Sequence, residues 1–337
     1  MGRKVGLATP SSGANESRPR ILLDTNVWRY IVDHGALETV YRAAKDARGV
    51  ILACPAVLYE MLRLQDVRLR HDLVKSICRS RWVRMMPEAF EASEEFKREI
   101  VRLRPQWLLG EADRSYFRNI YEDWHGRRGV WWRARVDPSS AAAVLRVVEG
   151  EHLDQARIES LDHRTRIGAI TSFEKVKLDK WTTTFPLSAP GWDGDPVETW
   201  RAETMGFYIS ALLVKDGNQS SATREWLESW VNLASIQADL LSFARFFLYE
   251  TDALRLQRDR LRWAFRTLQA TRKTGPGTPV DNQIGSYLAD ADVLITADKI
   301  FFSITQRIGA EGVVPIAEPL LVSPENCIQK LLETLTR

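Results

Sequence analysis

Four acidic residues, Asp24, Glu60, Asp281 and Asp298, are spaced so that one crevice could collect them. Asp24 closes the apolar run ILLD, and Asp298 follows the run VLIT by one residue. Each run is short, apolar and ended by a turn signal, which reads as a buried strand. In an open parallel sheet, ligands gather beyond the carboxyl ends of the strands, so two strand-ending aspartates should share that space. Glu60 stands on the helix after the second strand, and Asp281 opens the helix before VLIT; both can reach the same edge. Four carboxylates meeting there repel one another unless a cation lies among them. Carboxylate oxygens suit hard divalent ions, Mg2+ or Mn2+, which retain waters for phosphate chemistry. A water on such an ion is acidified and can be oriented at phosphorus, so no Ser, Cys or His nucleophile is needed. Taken singly, each of the four is an ordinary turn, cap or solvated helix residue. Their order and spacing carry the reading.

The elements that must position these groups follow from the hydrophobic pattern. Arg20–Asp24 is a strand, Ala36–Ala47 a helix, and Gly49–Cys54 a second strand. Pro55 then opens a helix with Val57, Leu58, Met61 and Leu62 on one face and Glu60 off it. Trp82–Met86 reads as a third strand, followed by a helix with acidic residues in its first turn. Asp281–Asp290 reads as a helix and Val293–Thr296 as a strand. Val313–Ile316 reads as the last strand, with Pro315 marking it as an edge. Asp290 reads as helix-end surface and Asp292 as strand entry. Strands alternating with helices predict an α/β fold, a doubly wound parallel sheet flanked by helices. Between 105 and 270 the pattern turns helical: Ala141–Glu159, Pro196–Val214 with Asp195 as cap, and one long run from Ala222 to about Thr271. The expected organisation is a tail at 1–19, a first α/β part at 20–104, a mainly α-helical insertion at 105–270, and a second α/β part at 271–337.

DTN at 24–26, PAVLYEML around Glu60, and DNQIGSYLADADVLITADKIFF at 281–302 resemble the PIN-domain nuclease family. The last segment is the most specific, with an Asp, an apolar helix, an apolar strand, then Thr296, Asp298 and Phe301 in T-x-D-x-x-F. The resemblance covers about 20–90 and 275–320. It implies a central parallel sheet and Mg2+- or Mn2+-dependent phosphodiester hydrolysis, usually of RNA. It also implies that Asp24, Glu60, Asp281 and Asp298 form the catalytic and metal-binding quartet, with Asn26 and Thr296 orienting them. Thr25 reads as a turn hydroxyl. A non-catalytic PIN-like scaffold, binding RNA or a protein partner through the insertion, is the rival reading. Haloacid-dehalogenase-type phosphatases also begin with a strand-ending Asp, but place a second Asp two positions on, where this chain has Asn26.

Composition narrows the partners. Net charge is only +3, but 11 of the 47 basic residues are lysine and the rest arginine. Arginine's planar fork suits phosphates and stacked bases, although genome base composition alone can produce such an excess. The stretch HGRRGVWWRARVDP interleaves Arg127, Arg128, Arg133 and Arg135 with Trp131 and Trp132. Cations beside aromatic faces are how single-stranded nucleic acid is held. The rival is a packed Trp pair among solvated charges. Arg29 and Trp28 follow Asp24 closely and could border a substrate groove, or Trp28 could belong to the core. Three cysteines without CxxC spacing argue against a disulfide framework or zinc knuckle. No run approaches the roughly 18 apolar residues of a membrane span. The expectation is a cytoplasmic, nucleic-acid-binding protein, with room for a protein partner on the insertion and for a homo-oligomer.

Overall fold

The computed structural model describes residues 18–47, 49–144, 172–173, 177–178, 192, 194–214, 221–270 and 278–337. The expected tail at 1–19 lies outside them up to residue 17, as does the expected helix Ala141–Glu159 beyond residue 144. Five strands form one sheet: β1 (Arg20–Leu23), β2 (Val50–Ala53), β3 (Val83–Arg84), β6 (Val293–Thr296) and β7 (Glu318–Leu321). Their spatial order is β3-β2-β1-β6-β7, and every pairing is parallel. Leu22 sits opposite Leu52 on one side and Leu294 on the other, so the two halves of the chain meet in the middle of the sheet. The strand order reverses at β1, which opens a crevice at the carboxyl ends of β1 and β6.

Helices cover the sheet, and this is why the central strands are apolar without alternation. Ile21, Leu22, Leu52, Leu294 and Ile295 are all sealed from solvent. Helix α1 (Thr25–Asp33) starts directly off β1, with Asp24 as its N-cap, and buries Val27, Trp28 and Ile31. Trp28 stacks edge-on to Trp82 with ring centroids 5.9 Å apart, so it is a core residue and not part of a groove. Helix α2 (Leu37–Asp46) precedes β2; α3 (Pro55–Arg63) and α4 (Val67–Ile77) follow it. The C-terminal helix α15 (Cys327–Thr336) closes against α1 and α2. It approaches so tightly that a Cβ on Gly49 would lie 3.0 Å from the Leu335 backbone.

The described residues between β3 and β6 pack onto the sheet half. Helix α5 (Glu88–Leu103) stacks Phe96 on Tyr208, from α8 (Thr199–Tyr208), and on Phe247, at 4.3 and 5.5 Å. Helix α12 (Gln257–Ala270) lies against α13 (Thr278–Tyr287) so closely that a Cβ on Gly285 would meet the Phe265 ring at 2.4 Å. One hydrophobic cluster runs from β1 through α12 to α15. A buried ion cluster reinforces the join. Arg258 of α12 lies 2.6 Å from Asp290, 3.3 Å from Glu95 and 3.7 Å from Glu91, and donates to the Ser286 carbonyl at 3.1 Å. Asp290 is therefore an ion-pair partner of the insertion and not helix-end surface. Asp292 accepts the Arg20 amide at 2.7 Å, as a strand entry should.

Other expectations need correction. The last strand is Glu318–Leu321, not Val313–Ile316. Gly312, at φ 62°, turns the chain, and Val313 and Val314 are buried within irregular backbone. The edge position was read correctly, but its proline is Pro319. The third strand is only two residues long. Pro196 does not start a helix: Val197–Glu198 (β5) pairs antiparallel with Lys177–Leu178 (β4), and α8 begins at Thr199. The long run from Ala222 is broken into α9 (Ala222–Leu227), α10 (Leu233–Ala238), α11 (Leu240–Arg245) and α12. The breaks are chemical, since Asn232 and Asp239 turn their side chains to cap Ser235 and Ser242 amides and so restart the helix. Among the described residues no helix is long and apolar enough to cross a membrane.

Candidate active site

At the reversal of strand order, β1 delivers Asp24 and β6 delivers Thr296 and then Asp298. Asp24 is almost fully buried. Its Oδ1 accepts from the Thr25 amide and its Oδ2 from the Thr296 hydroxyl, both at 2.7 Å. The same Thr296 hydroxyl accepts the Asp298 amide at 3.0 Å, so one completely buried side chain links both aspartates. Asp298 caps helix α14 (Lys299–Ala310): its Oδ1 accepts the Ile300 and Phe301 amides at 2.6 and 3.0 Å. Glu60, half-buried on α3, takes a short hydrogen bond from the Thr25 hydroxyl. Thr25 thus links the carboxylates of Asp24 and Glu60, and Thr296 links the Asp24 carboxylate to the Asp298 backbone.

The electrostatics follow from that geometry. Burial pushes the Asp24 carboxyl from 3.8 up to about 6. The Thr296 hydrogen bond opposes the rise, and the negative charges of Glu60 and Asp298 add to it. Glu60 is also raised, first by burial, with Asp298 adding repulsion while the Thr25 hydroxyl and Arg63 oppose it. Helices α1 and α14 both begin at this edge, and their positive N-terminal dipoles offset part of the negative charge.

Of the expected quartet, the structure brings Asp24, Glu60 and Asp298 into mutual electrostatic range. Asp281 stands in the first turn of α13, and its side chain lies outside the described structure. Thr296 holds Asp24 as expected. Asn26 is exposed on α1; the link between Asp24's helix and Glu60 is made instead by Thr25, which the sequence had marked only as a turn hydroxyl. A hydroxyl one residue after a strand-ending Asp was the available signal. All these donors are hard oxygens, the type Mg2+ or Mn2+ prefers. Among the described residues, however, no three Asp, Glu, His or Cys side chains close around one ion position.

The Arg/Trp stretch forms the turn after α6 (Arg114–His125) and the helix α7 (Val130–Val136) that follows, with Trp131, Trp132, Arg133 and Arg135 on the helix. Gly126 and Gly129 are required there, because a Cβ would meet the Glu122 carbonyl at 2.3 Å or the Asp123 carbonyl at 2.7 Å. Trp131 is 1% exposed and packs inward, so it cannot stack a base. Trp132 is 41% exposed. Arg133 grips Asp123 with both terminal nitrogens, at 2.6 and 2.9 Å, which engages its fork within the protein. Arg127, Arg128 and Arg135 are exposed. Arg29 is exposed and paired with Asp33 at 3.4 Å. Trp124 of α6 packs edge-on to Tyr59, the neighbour of Glu60. No family model, no curated protein and no solved structure matches the chain.

Proposed function

We propose that the chain is a metal-dependent nuclease acting on RNA, with 20–104 and 271–337 forming a PIN-like nuclease half. The observation that carries this reading is the set of Asp24, Glu60 and Asp298, tied together through Thr25 and Thr296 at the point where strand order reverses. Asp24 and Asp298 would hold Mg2+ or Mn2+, with Glu60 and Asp281 completing the site. When bound, the ion would supply an acidified water and a counter-charge for the phosphate. The chain's own groups do the positioning. Thr296 fixes Asp24, Thr25 fixes Glu60, and the α14 amides fix Asp298, so the free lone pairs of these carboxylates have defined directions. Arg127, Arg128, Arg135 and Trp132 would hold the strand outside the site, with Arg29 nearby on α1.

The test is cleavage of end-labelled single-stranded RNA, single-stranded DNA and structured RNA, with Mn2+ or with EDTA. The expected result is Mn2+-dependent cleavage of RNA that Asp24→Asn combined with Asp281→Asn abolishes in a folded protein. Full activity of the double variant overturns the assignment. One observation favours the rival scaffold reading, namely that the described carboxylates do not enclose an ion position. A scaffold would bind RNA equally with and without EDTA and cleave none.

A further inference from the structure

Asp24, Glu60 and Asp298 are tied together at the acidic edge, yet among the described residues no three acids close around one ion position. The proposed metal site therefore depends on its fourth member, Asp281, in the first turn of α13. Asp24, Glu60 and Asp298 stand on or beside elements of the sheet half that hydrogen-bond to one another. The helix of Asp281 is held differently. It touches α3 and α5, but its broadest contact is with α12 of the insertion, which also packs against α14.

One insertion side chain touches both of the helices that carry Asp281 and Asp298. Phe265 of α12 is sealed from solvent. Its ring lies so close over α13 that a Cβ added at Gly285 would be 2.4 Å from it. The same ring meets Phe301 of α14 at 5.5 Å, inclined by 41°. Both contacts fall within about one helical turn of an aspartate. Gly285 follows Asp281 by about 6 Å along the helix axis. The Phe301 amide donates directly to the Asp298 carboxylate at 3.0 Å. About two turns earlier on α12, Arg258 donates to the Ser286 carbonyl at 3.1 Å and pairs with Asp290 at 2.6 Å, so α12 grips α13 at a second point. A close-packed interior transmits a displacement at such contacts instead of absorbing it.

We propose that Phe265 is a positioning residue for the acidic edge: its ring sets the placement of α13 relative to α14, and so of Asp281 relative to Asp298. Gly285 is its counterpart, since any side chain there would push α13 off the ring. The inference rests on the nuclease reading, and it gives the insertion a part in building the metal site.

The experiment titrates Mn2+ into the full chain, Gly285→Ala, Phe265→Leu and the two combined, read by calorimetry, with the fold of each checked by circular dichroism and melting. Alanine drives α13 from the ring; leucine deletes the ring and leaves room for the added methyl. The expected result is Mn2+ affinity weakened about tenfold in Gly285→Ala and several-fold in Phe265→Leu, the effect of displacing a group that orients a ligand. The double variant should recover most of the Gly285→Ala loss, the coupling of two residues in contact. Lowered melting with unchanged Mn2+ affinity in both single variants assigns Phe265 to core packing; this overturns the inference and leaves the nuclease reading standing. No recovery in the double variant also overturns it. A wild-type chain that binds no Mn2+ overturns the nuclease reading and this inference together. Should Gly285→Ala fail to fold, Phe265→Leu decides alone: weakened Mn2+ binding supports the assignment and unchanged binding overturns it.

Discussion

Two regions of this molecule gather several carboxylates around one that is buried, and they balance them differently. Around Arg258, the acids Glu91, Glu95 and Asp290 face a guanidinium that is 4% exposed. At the strand-order reversal, Asp24, Glu60 and Asp298 face hydroxyls, helix amides and one another. Arg258 lowers Glu91 and Glu95 against the burial that raises them, whereas the influences that act on Asp24 include no cation. The first cluster carries its positive charge within the chain and clasps the insertion to the β6 entry. In the second, Arg63 acts on Glu60, but no cation acts on the buried Asp24. An oriented, buried carboxylate without its own cation is costly for stability and suited to a cation from outside, which is the physical content of the proposed function.

The largest effect that separates the two is loss of the internal cation. Arg258→Met leaves the buried Glu95 and the half-buried Glu91 and Asp290 without their partner and is expected to cost about 3–5 kcal/mol in urea unfolding. A cost below about 1 kcal/mol would mean that the clasp is ornamental and the contrast false.

The next effect is a pH slope. Asp24 is raised when folded, so the folded state holds its proton to higher pH than the unfolded chain. Its neutral form therefore supports stability below the unfolded value of 3.8, and that support is lost as pH rises toward about 6. In metal-free buffer, stability should fall by up to about 3 kcal/mol across this window, and Asp24→Asn should remove that fall. Glu95, pushed up to about 7, produces a slope of the same sign that Glu95→Gln removes. Mn2+ should cancel the Asp24 slope alone.

A smaller effect tests the scaffold of the acidic edge. Thr296→Val keeps the shape and deletes the donor to a buried carboxylate, at an expected cost of about 1–3 kcal/mol above pH 7 in chemical denaturation. The cost should shrink below pH 4, where Asp24 is neutral. A pH-independent loss would assign Thr296 to packing only. The smallest effect belongs to the exposed Arg133–Asp123 pair, where Arg133→Gln should change stability by no more than about 1 kcal/mol.

The central strands were readable because burial on both faces leaves a continuous apolar run, as in 20–23, 50–53 and 293–296. The aspartates that end or follow them were readable for the same reason, since a polar residue where such a run stops marks the sheet edge. Pattern failed where tertiary contacts decided. VVPI is as strand-like as EPLL, yet the latter pairs because Glu318 and Val322 amides find the Asp292 and Thr296 carbonyls. Trp131 and Trp132 are adjacent and identical in type, and only packing distinguishes the buried ring from the exposed one. Thr25 was legible as a hydroxyl but not as the link to Glu60, because that contact spans 35 residues of chain.

The most direct test of the acidic edge is calorimetric titration of Mn2+ into the metal-free protein at pH 7, beside Asp24→Asn and Glu95→Gln. Saturable binding in the wild type and in Glu95→Gln, lost in Asp24→Asn, is the predicted result. Absence of Mn2+ binding in the wild type, or binding unaffected by Asp24→Asn, would contradict it.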